Sequence, residues 1–252
     1  MIEFQEWPKI PRLNRDITIT EKIDGTNAAV GIQSFQFGEH TDGVPDNAKL
    51  VFGPPSEDGM PNVEYLVYAQ SRSRIITPAQ DNHGFAKWVW NHAEELASIL
   101  GPGLHFGEWW GNGIQRGYGL KQGDKRFSLF NTKRWNNETL GKREGFLLMP
   151  IGLGVVPVLY EGPFHSPEWR ISTPWDDALR DLVIDGSQAA PGFERPEGVV
   201  IYHHAANHCF KVTLEHDDSP KEVLRKRDDF RKSELVSVAR IFDVPSVFVE
   251  AA

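Results

Sequence analysis

The chain has 252 residues, of which 40% are hydrophobic and 25% are charged, and its formal net charge is −8 at pH 7. This length allows one large domain or two small ones, and the composition is ordinary for a globular protein with a substantial core. The acidic balance argues against broad, non-specific affinity for nucleic acids, although it still allows a local basic groove.

Cysteine content and hydropathy limit the compartment. The single cysteine, Cys209, excludes an intramolecular disulfide and a cysteine-rich zinc site, and it favours a reducing environment. No apolar run approaches the length of a membrane span, and the first residues do not resemble a signal peptide. We therefore expect a cytoplasmic protein that does not associate with a membrane.

The first part of the chain is predicted to consist of strands around one helix. β-forming residues fill 17–33 and predict two strands on either side of a turn at Lys22. Further strands are predicted at 50–52 and 63–70, after segments rich in Gly, Pro and Asp. Apolar residues recur at helical spacing over 84–100, and Gly101 is placed to end that helix.

The second part of the chain adds more strands and two helices. A Thr-Pro pair predicts a helix from Pro174 to about Val183, and a capping box predicts a last helix from Pro220 to about Arg240. The sequence therefore predicts an α+β fold with a largely antiparallel sheet. The strands predicted here cover 104–110, 126–131, 145–149, 155–160, 198–203 and 207–214.

The most informative motif is Lys22-Ile23-Asp24-Gly25, at the end of a predicted strand. A lysine amine that attacks phosphorus must be held rigidly, and a glycine just after it allows the backbone to approach a nucleotide closely. Taken alone the tetrad is a weak signal, because two solvated charges beside a turn glycine would give the same pattern.

Three later segments carry polar side chains suited to a nucleotide site. Arg72 follows a strand and could hold phosphate, unless it belongs to a solvated basic turn. Glu108 lies within an aromatic strand, where a carboxylate needs a ribose hydroxyl, a metal-bound water or an exposed edge. Glu197 precedes a strand and could bind Mg²⁺. Lys211, in the next strand, faces either water or an anion.

An aromatic segment could supply a stacking surface. Strand alternation places Phe127 and Leu129 on one face of residues 125–131 and Phe130 on the other. A nucleobase could stack on Phe127, and such stacking contributes about 1–3 kcal/mol per base. The alternative is that both phenylalanines belong to the core, which burial habits favour.

Taken in order, these segments resemble the motifs of the covalent nucleotidyltransferase superfamily, which contains RNA ligases, DNA ligases and mRNA-capping guanylyltransferases. The motifs are Lys-x-Asp-Gly, Ser-Arg, Phe-Gly-Glu, Phe-x-x-Phe, Glu-Gly-Val-Val and a strand lysine, within about residues 4–214. The chain looks most similar to the RNA ligase family of the phage enzyme that seals nicks in double-stranded RNA, for which Thr26-Asn27 after the tetrad is typical.

This resemblance implies a nucleotidyltransferase (ATP-grasp-like ligase) core of mainly antiparallel sheets flanked by helices, without an OB-fold domain. The core would span residues 1–215, and residues 216–252 would form a short helical extension packed on it. The implied activity is that of an ATP-dependent RNA ligase for RNA repair, which joins 5′-phosphate and 3′-hydroxyl ends through a lysyl-adenylate. Its cofactors would be ATP and Mg²⁺ or Mn²⁺, its partners RNA ends or nicks, and a monomer is favoured.

The resemblance also implies roles for individual residues. Lys22 would attack the ATP α-phosphate, and Phe127 would stack on adenine. Asp24 and Glu108 would contact the ribose or metal-bound water, and Asn27 would act in the RNA-dependent steps. The catalytic set is Lys22, Asp24 and Lys211; the nucleotide-binding set is Glu21, Asn27, Arg72, Glu108, Phe127 and Lys211; and the metal ligand is Glu197.

One motif departs from the family pattern. Two lysines usually flank one residue at the last motif, whereas this chain has Lys211-Val212-Thr213, so that Thr213 or Cys209 stands in for the second lysine. The efficiency of a later reaction step is therefore in doubt. The alternatives are another nucleotidyltransferase, either a DNA ligase or a guanylyltransferase, and a nucleotide- or RNA-end-binding protein that has lost turnover.

Overall fold

The computed structural model describes residues 3–39, 43–54, 62–137, 140, 152–165 and 172–215. The strand predicted at 145–149, the helix predicted from Pro220 and the proposed extension over 216–252 lie outside the described residues. In the part of the chain that the structure describes, no helix is long and apolar enough to cross a membrane.

Fourteen helices and strands form the described fold, together with a short 3₁₀ turn at Gly117–Gly119. In chain order they are β1 (Asp16–Lys22), β2 (Thr26–Gln36), β3 (Lys49–Phe52), β4 (Val63–Ser71), β5 (Ile75–Ile76), α1 (Phe85–Asn91), α2 (Ala93–Leu100), β6 (Gly103–Gly111), β7 (Lys125–Leu129), β8 (Leu153–Val155), β9 (Val158–Pro163), α3 (Pro174–Asp185), β10 (Gly198–His203) and β11 (His208–Thr213).

These elements build two sheets. The smaller has the order β11-β10-β1-β9, and the larger has the order β3-β4-β2-β6-β7-β8 with β5 beside β4. Every pairing is antiparallel except that of β7 with β8, so the predicted α+β class with mainly antiparallel sheets is confirmed. The turn between β1 and β2 connects the two sheets, and Lys22 lies where it begins.

Strand alternation gives each sheet one face packed on helices. Ile17 and Ile19 of β1 share a buried cluster with Ala178 and Leu182 of α3. Val30 of β2 belongs to a second cluster, in which the larger sheet packs against α1 and α2. Because side chains alternate along a strand, Lys22 and Asn27 fall on the faces that point away from these helices. The sheets therefore leave their polar faces for the site.

The single helix predicted over 84–100 is wrong in one respect, because it is interrupted at His92. The His92 backbone has φ −118° and ψ 25°, and its amide N–H is shared between Trp88 O at 3.2 Å and Val89 O at 3.3 Å. The His92 ring also bonds Trp88 O through Nδ1 at 2.8 Å. A side chain that competes for a helical acceptor favours such a break.

The strand predicted at 155–160 is also wrong, because two strands occupy this region. β8 pairs with β7 in the larger sheet, and β9 pairs with β1 in the smaller sheet. Pro157 lies between them and has no N–H to donate to a ladder, so the chain can leave one sheet here and enter the other. The O atom of Pro157 instead accepts the Glu21 N–H at 3.0 Å.

Phe127 lies in the core, which contradicts its predicted role as an adenine-stacking residue. Its side chain is 0% exposed. The ring centroid lies 5.0 Å from that of Phe85 and 5.9 Å from that of Trp88, both on α1. Neighbouring Phe130 is 40% exposed. The alternative interpretation, a core phenylalanine, is therefore the one that matches the structure for Phe127.

We expect Phe127→Ala to lower the free energy of unfolding by about 3–5 kcal/mol, because it opens a cavity among packed aromatic rings. Phe130→Ala serves as the matched control and should change it by less than about 1 kcal/mol. Urea denaturation followed by far-UV circular dichroism measures both. Equal losses in the two variants would contradict the assignment of Phe127 to the core.

Candidate active site

Lys22 and Glu197 form the centre of the site. Lys22 is the last residue of β1 and lies opposite Gly198, the first residue of β10, so that Glu197 comes just before the paired strand. The Lys22 Nζ donates to Glu197 Oε1 at 2.5 Å, and the side chains are 25% and 13% exposed. The second oxygen, Glu197 Oε2, is buried and has no hydrogen-bond partner among the described residues.

Glu108 approaches the lysine turn from the larger sheet. The Gly25 N–H donates to Glu108 Oε1 at 3.1 Å. A Cβ at position 25 would lie 2.5 Å from Trp109 O and 2.8 Å from Trp110 Cβ, so only glycine allows the turn to lie this close to β6. The glycine of the tetrad thus brings Glu108 close enough to Lys22 for their charges to interact.

Burial raises the pKa of Glu108 to about 7. The positive charge of Lys22 and the Gly25 N–H oppose this rise, whereas the negative charges of Glu197 and Asp24 add to it. Three carboxylates and one lysine therefore lie close enough to interact, and Glu108 is about half-protonated near neutral pH. A ligand that binds together with a cation would reduce the repulsion among these carboxylates.

We expect the free energy of unfolding of Glu108→Gln to increase relative to that of wild type as the pH rises. The folded-state pKa of Glu108 lies above its ordinary value of 4.5, so this group stabilises the fold at low pH and the contribution is lost as the pH rises through about 7. The loss is at most about 3 kcal/mol. Glutamine does not titrate, so urea denaturation near pH 5 and pH 8 should show the gap widening in its favour. A gap that narrows would contradict the burial of a carboxyl group here.

Asp24 is held by residues that the sequence did not reveal. Arg116 Nε donates to Asp24 Oδ2 at 3.0 Å, and its Nη2 donates to Glu215 Oε1 at 2.8 Å. The Asp24 N–H donates to the hydroxyl of Tyr118 at 2.8 Å. Gln115 and Tyr118 both adopt positive φ, at 44° and 50°. Left-handed backbone at non-glycine residues marks a constrained loop. The available signal was the spacing of glycines at 111, 113, 117 and 119.

Glu21 lies beneath the site and is 1% exposed. Its carboxylate accepts from Ser187 Oγ at 2.5 Å and from the Ala189 N–H at 2.9 Å. Burial raises the pKa of Glu21, and these bonds oppose the rise. These two bonds fix the loop after α3 against β1, and the Glu21 N–H, which donates to Pro157 O, holds the connection between β8 and β9. Ser187, like Arg116, was missed, since no motif singles it out.

A cavity of about 320 Å³ adjoins this loop. Its walls include Trp110 and Ser128 of the larger sheet, and Pro157 and Ala189, the partners of Glu21. Trp110 Nε1 donates to Ser128 Oγ at 2.9 Å, which fixes the indole ring in the wall. Ligand sites of small molecules commonly begin at this volume, so the cavity can take a planar group of moderate size.

The family model described as RNA ligase matches residues 15–213 of the chain, which run from the start of β1 to the end of β11. The chain belongs to the RNA ligase family. No curated protein matched the sequence of this RNA ligase. The matched range covers most of the chain and contains every residue of the predicted site.

The remaining predicted residues of this RNA ligase flank the cleft. Asn27 pairs with Glu108 across β2 and β6. Arg72 is exposed and lies in the bend just after Ser71, the last residue of β4, which pairs with Ala28. Lys211 is exposed in β11 and pairs with Val200, which pairs with Thr20. Because Thr20 lies two residues before Lys22, Lys211 is on the same face of the sheet as Lys22 but one row further along the strands.

Thr213 is one of the two residues, with Cys209, that could stand in for the second lysine of the family pattern. It pairs with Gly198, which pairs with Lys22, so Thr213 and Lys22 lie in one row on one face of the smaller sheet. Thr213 is 1% exposed. Cys209 pairs with Tyr202, further along β10 from Lys22.

The side chains of the site fit a divalent cation that is shared with phosphate. Glu197 Oε2 is an orphaned buried acceptor, and such an atom is costly unless it meets a donor or a cation. Among the described residues there is no group of three or more His, Cys, Asp or Glu that could hold a metal by itself. Mg²⁺ commonly binds through one or two carboxylates and the phosphates of its substrate, which is the arrangement that Glu197 offers.

Proposed function

We propose that this RNA ligase is ATP-dependent and joins RNA 5′-phosphate and 3′-hydroxyl ends through a covalent lysyl-adenylate at Lys22. The observation that carries the proposal is the Lys22–Glu197 contact of 2.5 Å at the junction of the two sheets. A half-buried lysine with a carboxylate on its amine is both fixed in place and close to a proton acceptor. Glu108 and Asp24 complete the surroundings of this amine.

In the first step, the neutral Lys22 amine attacks the α-phosphorus of ATP. The N–P bond forms, the bond from the α-phosphorus to the bridging oxygen breaks, and pyrophosphate leaves. The amine proton passes to Glu197, its hydrogen-bond acceptor, or to solvent. In the second step, an RNA 5′-phosphate oxygen displaces Lys22 and takes the adenylate. In the third step, the 3′-hydroxyl attacks the 5′-phosphorus and AMP leaves.

Positioning and charge neutralisation supply most of the catalysis in such transfers. We propose that the 320 Å³ cavity beside the Glu21 loop takes the nucleobase. Lys211 and Arg72 would neutralise phosphate charge from either side of the cleft. A divalent cation bound through Glu197 Oε2 would add to that neutralisation. Asp24, already fixed by Arg116, would contact the ribose.

Intact mass spectrometry tests this proposal directly. Wild-type protein incubated with ATP and Mg²⁺ should gain one adenylate, and peptide mapping should place it on Lys22. GTP in parallel distinguishes a guanylyltransferase, because only the cognate nucleotide becomes attached. Sealing assays on nicked RNA, nicked DNA and single-stranded RNA then identify the polynucleotide. A wild-type protein that gains no nucleotide would overturn the proposal.

One observation favours a second candidate function. The last motif has one lysine fewer than the family pattern, and Thr213, one of the two candidate replacements, lies in the same row as Lys22. A protein that binds nucleotide or RNA ends without turnover would tolerate this loss. If no adduct forms, isothermal titration with ATP and Mg²⁺ should still show binding for this candidate. The Thr213→Lys variant should then gain adduct formation if the missing cation is the cause.

A further inference from the structure

Two exposed phenylalanines lie on the open face of the larger sheet. Phe106 of β6 is 45% exposed, and Phe130, just after β7, is 40% exposed. The Phe130 N–H donates to Phe106 O at 3.0 Å, so the antiparallel ladder continues to this pair. Leu104, two residues before Phe106 in β6, is 42% exposed. Leu104, Phe106 and Phe130 form an apolar patch that no described element covers.

The patch is continuous with the candidate active site. Side chains two residues apart share a face of a strand, so Phe106 points to the same side as Glu108. Glu108 pairs with Asn27 and with Ser128, which gives one row of the site face. The next row, Gln70, Ala29, Phe106 and Phe130, lies about 7 Å further along the strands. A single nucleotide can bridge two such rows.

The chemistry around the patch fits RNA better than a protein partner. Exposed aromatic rings on an open sheet are a recurring platform on which single-stranded RNA stacks its bases. The exposed Arg72 lies in the bend just after β4, one residue beyond the Ser71–Ala28 pair, and offers a cation for the backbone phosphate. Asn27 and Gln70 add hydrogen-bonding groups. The end of the larger sheet that lies near the proposed reacting centre thus offers aromatic rings, amides and a guanidinium.

We propose that the nucleotides next to the RNA end stack on Phe106 and Phe130. This inference rests on the proposed function, because the site must receive an RNA end. The 5′-phosphate or 3′-hydroxyl lies at Lys22 and Glu108, and the adjoining bases cross the row that contains Phe106. The patch therefore contributes to RNA affinity and to sealing, whereas attachment of AMP from ATP does not need it.

Fluorescence anisotropy with a labelled RNA dodecamer tests the proposal. Phe106→Leu and Phe130→Leu should each weaken RNA binding about tenfold, because leucine keeps apolar area but removes the stacking face. Phe106→Trp should retain the affinity. Phe210→Leu is the matched control, since Phe210 is 53% exposed in β11 on the alternate face to Lys211. Adenylate formation from ATP should be unchanged in all four variants.

An abasic RNA sharpens the test. Removing the base next to the end should weaken RNA binding by wild type as much as Phe106→Leu does. For this abasic RNA, wild type and Phe106→Leu should then have the same affinity. The proposal would be overturned if Phe106→Leu and Phe130→Leu bind RNA as tightly as wild type, or if Phe210→Leu weakens RNA binding to the same extent as they do. So would a change in self-association by gel filtration at unchanged RNA affinity, which would make the patch a protein interface.

The outcomes separate this proposal from the proposed function. If wild type forms no adenylate but Phe106→Leu and Phe130→Leu still weaken RNA binding, the ligase mechanism fails and the stacking surface stands. If the adenylate forms and neither variant changes RNA affinity, the stacking proposal is wrong and the proposed function is unaffected.

Discussion

Lys22→Ala is expected to abolish nucleotide attachment to the chain while leaving the fold and the RNA affinity intact. The Lys22 amine is bonded to Glu197 at 2.5 Å and its side chain is 25% exposed, so the substitution removes the proposed nucleophile without opening a large cavity. Lys211 lies on the same face of the smaller sheet but two strands away, so it does not occupy the place of the lost amine at the end of β1. Intact mass spectrometry and gel transfer of labelled AMP measure the loss.

Two variants separate chemistry from charge. Lys22→Arg keeps a cation beside Glu197, but a guanidinium that stays protonated cannot attack phosphorus, so it should be as inactive as Lys22→Ala. Lys87→Ala, at an exposed position in α1, is the matched control and should behave as wild type. An adduct that persists in Lys22→Ala would place the nucleophile elsewhere and remove the basis of the proposed mechanism.

The position of Lys22 could be predicted from the sequence because it depends on local patterns. β-forming residues on both sides of Lys22 gave two strands, and the glycine of the tetrad gave the turn between them. The pairing of Lys22 with Gly198 then follows from two strands that meet in one sheet. The metal-binding role of Glu197 was an inference from a resemblance, and it stays a prediction.

Residues that act across the fold could not be predicted in the same way. Arg116 reaches Asp24 over 92 positions of sequence, and Ser187 reaches Glu21 over 166, so no periodicity marks either contact. Phe127 and Phe130 present the reverse case. The alternation of their faces was predicted correctly, yet the choice of which ring meets a ligand depends on α1, whose packing against β7 the sequence does not specify.

Glu197→Gln is expected to slow adenylate formation by about 100-fold or more, because it removes the charge that faces both the Lys22 amine and the proposed cation. The amide is nearly isosteric and its oxygen can still accept from Lys22 Nζ, so the variant should remain folded, with a lower free energy of unfolding because the pair is mostly buried. Single-turnover rates of AMP attachment, measured beside urea denaturation, give both quantities. Glu194→Gln, at an exposed position three residues earlier, is the matched control.

The dependence on Mg²⁺ decides between the two roles of Glu197. If Oε2 holds the cation, the variant should need a higher Mg²⁺ concentration for half-maximal rate as well as being slower, because the buried, unpartnered oxygen is the group that is lost. If the rate falls while the half-saturating Mg²⁺ concentration stays that of wild type, Glu197 acts only through Lys22. The metal assignment would then be wrong, and Glu108, whose pKa of about 7 leaves it partly ionised, would become the remaining carboxylate beside the phosphates.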